Sequence, residues 1–80
     1  MAKTILIVDD SSSLRTVVRL SLARAGYEVL EAGDGKEGLA QLDKVAKVHL
    51  IVSDVNMPNM DGITFLTHVK QHPRHKFAPV

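Results

Sequence analysis

Three short β-favouring runs, Thr4 to Val8, Tyr27 to Ala32 and His49 to Ser53, alternate with longer segments whose apolar residues recur at helical spacing. No other feature of the chain constrains its fold as much, because parallel strands need a crossover connection and a helix is the usual one. The first run ends abruptly on Asp9 and Asp10, the pattern of a strand covered on both faces. Ser11, Ser12 and Ser13 then offer capping hydroxyls to a helix whose apolar positions are Leu14, Val17, Val18, Leu22 and Ala25, with Gly26 as its stop. After the second run, Asp34 with Glu37 three residues on has the form of a capping box. It opens a helix that buries Leu39 and Leu42 and fades near Ala46. The third run ends at Asp54, and Pro58 and Gly62 punctuate a loop over Val55 to Gly62. Ile63, Leu66 and Val69 mark a third helix, which Pro73 ends, and Phe77 to Val80 reads as the approach to a fourth strand.

Strand, helix, strand, helix, strand, helix predicts an α/β fold of parallel strands joined by right-handed crossovers, with helices on both faces. Eighty residues hold one small domain, which buries about 63% of the unfolded chain's surface. Ten Lys plus Arg against nine Asp plus Glu leave a net charge of +1. That field is too weak to gather nucleic acid or an anionic membrane, so neither is an expected partner. Without cysteine there is no disulfide framework and no thiolate metal site. The first apolar run is too short for a signal peptide or a membrane span, which makes the cytoplasm the default location.

In open parallel sheets ligands bind beyond the carboxyl ends of the strands, where successive crossovers leave in opposite directions. If strand two lies outside strand one, the crevice falls between strands one and three, which sit roughly 4.8 Å apart. Asp9 and Asp10 would then face Asp54. Three carboxylates in one pocket are costly without a cation, and an all-oxygen donor set points to Mg2+, which keeps several waters and commonly joins carboxylates to phosphate. A carboxylate beside such an ion can attack a phosphoryl group. This chemistry does not fix which Asp attacks; Asp54, alone at a strand end before a loop, is the better candidate, since Asp9 and Asp10, being adjacent, can hold the ion together.

Ile5-Leu6-Ile7-Val8-Asp9-Asp10, Asp54 at the third strand's end, and Asp54-Val55-Asn56-Met57-Pro58-Asn59-Met60-Asp61-Gly62 resemble the receiver domain of two-component response regulators. The likeness runs through nearly the whole chain in order and spacing, and Asn56-Met57-Pro58 is similar to the chemotaxis, CheY-like subtype. It implies a flavodoxin-like, doubly wound parallel sheet with strand order 2-1-3. It also implies Asp54 as phosphoacceptor, Asp10 as a direct Mg2+ ligand, Asp9 holding the metal through water, and Asn56 contributing its backbone carbonyl. The implied partners are a histidine kinase, of chemotaxis type, and a flagellar motor switch or another downstream target. The protein is then a signalling phosphoacceptor with self-catalysed phosphorylation and dephosphorylation in the intact domain, not a turnover enzyme. Receiver domains also carry a Ser or Thr at the end of strand four and a Lys at the end of strand five. Both positions fall beyond Val80, so residues 1–80 are expected to be the N-terminal portion of a receiver domain, lacking strands four and five.

Competing readings attach to several of these residues. With strand three as an apolar edge, the chain is expected to self-associate or to pair there with another segment, and a self-associating half-sheet that never signals is one alternative. An Mg2+-dependent phosphohydrolase with an aspartyl nucleophile is another, but it would want an acid where Asn56 stands. His68, His72 and His75 have a spacing compatible with a transition metal, although a solvated helix end accounts for them. Arg15, Arg19 and Arg24, apart from the apolar positions of helix one, read as surface charge or as a docking face. Met57 and Met60 suit either partner contact or packing under the loop.

Overall fold

The computed structural model describes residues 3–53, 60, 62–73 and 75. Its elements follow the expected order: β1 (Thr4–Val8), α1 (Ser12–Arg24), β2 (Glu28–Ala32), α2 (Gly35–Lys44), β3 (Leu50–Ser53) and α3 (Gly62–Gln71). The three strands are parallel in the order β2-β1-β3. Thr4 to Val8 lie opposite Glu28 to Ala32, and Ile5 to Val8 opposite Leu50 to Ser53.

Strand alternation sends β1 side chains to opposite faces. Leu6 and Val8 join Ala32, Ile51, Leu42 of α2 and Phe65 and Val69 of α3 in the buried core. Gly38 allows α2 and α3 to approach closely: a Cβ there would lie 2.8 Å from Phe65 Cε1 and 3.1 Å from Val8 Cγ2. On the opposite face α1 packs over β2 and β1. Ile5 and Ile7 are buried, while Leu50 and Val52 of β3 remain exposed.

The helix ends show how local chemistry sets the boundaries. Gly26, at φ +94°, ends α1 in a Schellman motif, its N–H donating to the Ala23 carbonyl and that of Tyr27 to Leu22. Tyr27 is thereby withdrawn from β2, which begins at Glu28 rather than at Tyr27 as expected. The ring Nδ1 of His49 accepts the Thr4 N–H at 3.0 Å, and the His49 N–H donates to the Thr4 carbonyl. This entry bracket leaves β3 to begin at Leu50. α2 stops at Lys44, before Ala46, because Val45 turns extended and packs against the core.

Two expectations about side chains require correction. The apolar stripe of α1 is only half used, and no residue of the helix is buried. The sheet-facing set is Arg15, Val18, Arg19 and Leu22, all partly buried, whereas Leu14 and Val17 are 50% and 61% exposed. Arg19 pairs with Glu31 of β2 at 3.1 Å, so the arginine stems themselves help to cover the sheet. The histidines after α3 are also not a solvated end. His75 is 1% exposed and its Nε2 donates to the Leu42 carbonyl at 2.9 Å, while His72 Nε2 lies 3.0 Å from Asp43 Oδ1. Both satisfy polar groups in the last turn of α2. The expected approach to a fourth strand, Phe77 to Val80, lies outside the described residues.

Candidate functional site

Asp9 and Asp10 leave β1 at its carboxyl end, where they meet the first turn of α1. The Asp9 N–H donates to the Ala32 carbonyl at 3.1 Å, which carries the β1–β2 ladder one residue past the strand. One carboxylate oxygen of Asp9 accepts the Ser11 N–H at 2.9 Å, an Asx-turn that directs the chain into the helix. Ser11 is the N-cap: its side chain accepts the Leu14 N–H at 3.3 Å. Asp10, between them, is exposed. The pair therefore sits on a rigid strand end, one carboxylate partly engaged and the other open to water.

The second arm of the expected site is set by register. Ser53 ends β3 level with Val8, and it is the residue before Asp54 in the chain. Asp54 and Asn56 themselves lie outside the described residues, so the three-carboxylate cluster is neither assembled nor dispersed by the structure. Among the described residues no group of three His, Cys, Asp or Glu side chains could hold a metal ion, the His72 and His75 neighbourhood included. The donors that are described fit a hard cation: two adjacent carboxylates, oxygen only, beside solvent that can supply the waters Mg2+ retains.

Between the ends of β1 and β3 and the underside of α1 is a cavity of about 230 Å³, lined by Asp9, Arg15 and Ser53 at its polar end and by residues including Leu14, Val18 and Val52 elsewhere. Arg15 is a residue that periodicity misplaced. Its Nε is buried with no hydrogen-bond partner among the described residues. The signal that could have found it is the spacing Arg15, Val18, Arg19, Leu22, itself a helical stripe with the charges carried on long apolar stems.

The turn before α2 borders the same end of the sheet. Asp34 caps α2, accepting the Glu37 N–H at 2.9 Å, but the reciprocal arm of the box reaches one residue further back: Glu37 Oε2 accepts the Gly33 N–H at 3.1 Å. Met60 is partly buried and packed against the core and against Gly35, so of the two roles offered for it packing is the one seen, while Met57 lies outside the described residues. Nothing in the sequence pairs Met60 with Gly35, because they are brought together only by the docking of α3 on α2.

Residues 5–80 match the family profile of the response regulator receiver domain. The chain belongs to that family. This receiver domain is 40% identical over 77 residues to chemotaxis protein CheY1 of Helicobacter pylori, an alignment that covers 95% of the chain and 62% of that protein. It is 42% identical over 71 residues to the transcriptional regulatory protein PhoP of Bacillus subtilis, where it covers 29% of the relative. Among solved structures, chemotaxis protein CheY4 of Vibrio cholerae superposes with a TM-score of 0.94 at 44% identity, over 99% of this chain and 65% of that one. The fold is thus the CheY-like, flavodoxin-like one. The chain spans less than two thirds of the chemotaxis relatives' length. Among the described residues no helix is long and apolar enough to cross a membrane.

Proposed function

We propose that this receiver domain accepts a phosphoryl group on Asp54 from a histidine kinase of the chemotaxis type. The observation that carries the reading is the paired carboxylate end of β1, with Asp9 and Asp10 level with the strand end that leads into Asp54. In the transfer, a carboxylate oxygen of Asp54 forms the new O–P bond as the N–P bond of a phosphohistidine breaks. The imidazole nitrogen leaves with the bonding pair and takes a proton from water. Asp9, Asp10, Asp54 and the Asn56 carbonyl would hold Mg2+, which when bound neutralises charge on the phosphoryl oxygens. The Asp9 turn onto Ser11 keeps one carboxylate of that set oriented before any ligand arrives.

In this reading residues 1–80 are the N-terminal portion of a receiver domain that carries a signal in the cytoplasm and catalyses its own phosphorylation and dephosphorylation when whole. Its downstream target is a flagellar motor switch or another output, and the likeness to a transcriptional regulator as well as to chemotaxis proteins keeps both open. Incubation of the whole receiver domain that contains residues 1–80 with acetyl phosphate and MgCl2 is the test. A hydroxylamine-labile gain of one phosphoryl group that is lost in Asp54→Asn supports the assignment; no gain, or a gain that survives the substitution, overturns it.

A second reading, self-association through β3, is favoured by one observation. Val52 and Leu50 on that strand, and Leu14 and Val17 on the neighbouring helix, leave apolar surface exposed on one face.

A further inference from the structure

We infer that the imidazole of His49 is an acid-sensitive clasp that fastens the entry end of β3 to β1, closed while the ring is neutral and open once it is protonated. The clasp sits at the end of the sheet opposite Asp9 and Asp10, and it does not depend on the phosphoacceptor reading.

In a parallel ladder a residue offers its N–H and its C=O to the same neighbouring strand. Thr4, the first residue of β1, does so toward β3: its carbonyl accepts the His49 N–H at 2.8 Å, and its own N–H points the same way. A continued strand would meet that N–H with a main-chain carbonyl, but the chain bends at His49 and β3 begins only at Leu50. The ring takes over, its Nδ1 accepting the Thr4 N–H at 3.0 Å in a partly buried bond. His49 thus holds Thr4 at two points, once through its main chain and once through its side chain.

The side-chain contact fixes the state of the ring. A main-chain N–H can only donate, so Nδ1 must offer its lone pair and the proton of the neutral ring must sit on Nε2. An imidazolium carries N–H on both nitrogens, and the Thr4 N–H would then face a second donor. Histidine is also the side chain whose charge ordinarily changes between pH 5 and 8. The bond is therefore present at the alkaline end of that range and lost toward the acid end.

The charged groups at this end of the sheet do not hold the ring in another way. On β1's side Lys3 is exposed and its carbonyl accepts the Glu28 N–H at 2.9 Å. The Glu28 carboxylate of β2 accepts the Thr4 hydroxyl at 3.3 Å. Lys47, before β3, is exposed, as are Arg24 of α1, Lys44 of α2 and Lys70 of α3. Asp43 of α2 lies against His72 Nε2 at 3.0 Å. Among the described residues neither carboxylate is bonded to the His49 ring.

The test is NMR of the 15N-labelled whole receiver domain that contains residues 1–80. At pH 8, long-range proton–nitrogen spectra should show the His49 ring with Nε2 protonated and Nδ1 bare; a neutral ring protonated on Nδ1 overturns the clasp. Hydrogen exchange reads its opening. The protection factor of the Thr4 amide should fall about tenfold between pH 8 and pH 5, the scale of one lost hydrogen bond, while that of Val8 at the far end of β1 changes by less than about twofold. In His49→Asn the side-chain oxygen takes the place of Nδ1 and does not titrate, so Thr4 should keep its protection to within about twofold over the same range. That variant also separates His49 from His68, His72 and His75, which titrate in both proteins. Parental protection of Thr4 that is equal at the two pH values, or a loss in His49→Asn as large as the parent's, overturns the clasp. Should the variant not fold, the parent's ring spectrum and pH series decide by themselves.

Discussion

The two faces of the sheet use the same three strands and reach different degrees of closure. On the α2–α3 face, Leu6, Val8 and Ile51 from the strands meet Leu42, Phe65 and Val69 from the helices, and all six are fully buried. On the α1 face one helix among the described residues spans β2 and β1, and Val52 is 42% exposed beside a helix with no buried residue. Strand propensity and alternation are equally good on both sides. What differs is the number of helices available to cover each side, which shows that an apolar stripe predicts the wish to be covered and not the cover itself.

Substitutions sharpen the contrast. Phe65→Ala, at the centre of the closed face and fitted against Gly38, is expected to cost about 3–5 kcal/mol. For a chain of this size that is most of the net stability, so urea denaturation should show a non-cooperative or absent transition; a loss below about 1 kcal/mol would mean that the face is not closed. The helix caps should follow the same order. Asp34→Ala, which removes a charged acceptor at 2.9 Å from α2, is expected to lower stability by about 1–2 kcal/mol, and Ser11→Ala, with its 3.3 Å bond on α1, by about 0.5 kcal/mol. Equal losses in urea midpoint would erase the distinction between the two helices. On the open face Val17→Glu and Val52→Glu should change stability by no more than about 0.5 kcal/mol. Sedimentation velocity at rising concentration should show weaker self-association for both; an undiminished dimer would exclude this face from the contact.

The parts of the fold legible from sequence are those governed by local rules. The β1 run, the Asp34 cap and the Gly26 stop each involve residues within a few positions of one another and were found where the sequence put them, and of the three candidate serines Ser11 is the cap of α1. The parts misread depend on a partner distant in the chain. His75 looked like a solvated helix end because nothing near it in sequence reveals that the Leu42 carbonyl, 33 residues earlier, needs a donor. Arg15 and Arg19 looked like outer-face charge because helical periodicity scores a charge as exposed, and only the position of β2 shows that their stems lie against the sheet.

For the candidate site the division is similar. Strand alternation, Asp9 and Asp10 at a strand end and the family motif are properties of order and spacing, and the sequence alone sufficed to place the chain among the receiver domains. It also foretold parallel strands from the alternation of strand and helix, whereas the order 2-1-3 was implied only by the family resemblance. Tertiary structure decided which side of α1 meets the sheet, which side is left open, and that Met60 rests on Gly35. Those outcomes depend on how separate elements pack in space, and packing compares volumes and distances between residues that no local pattern relates.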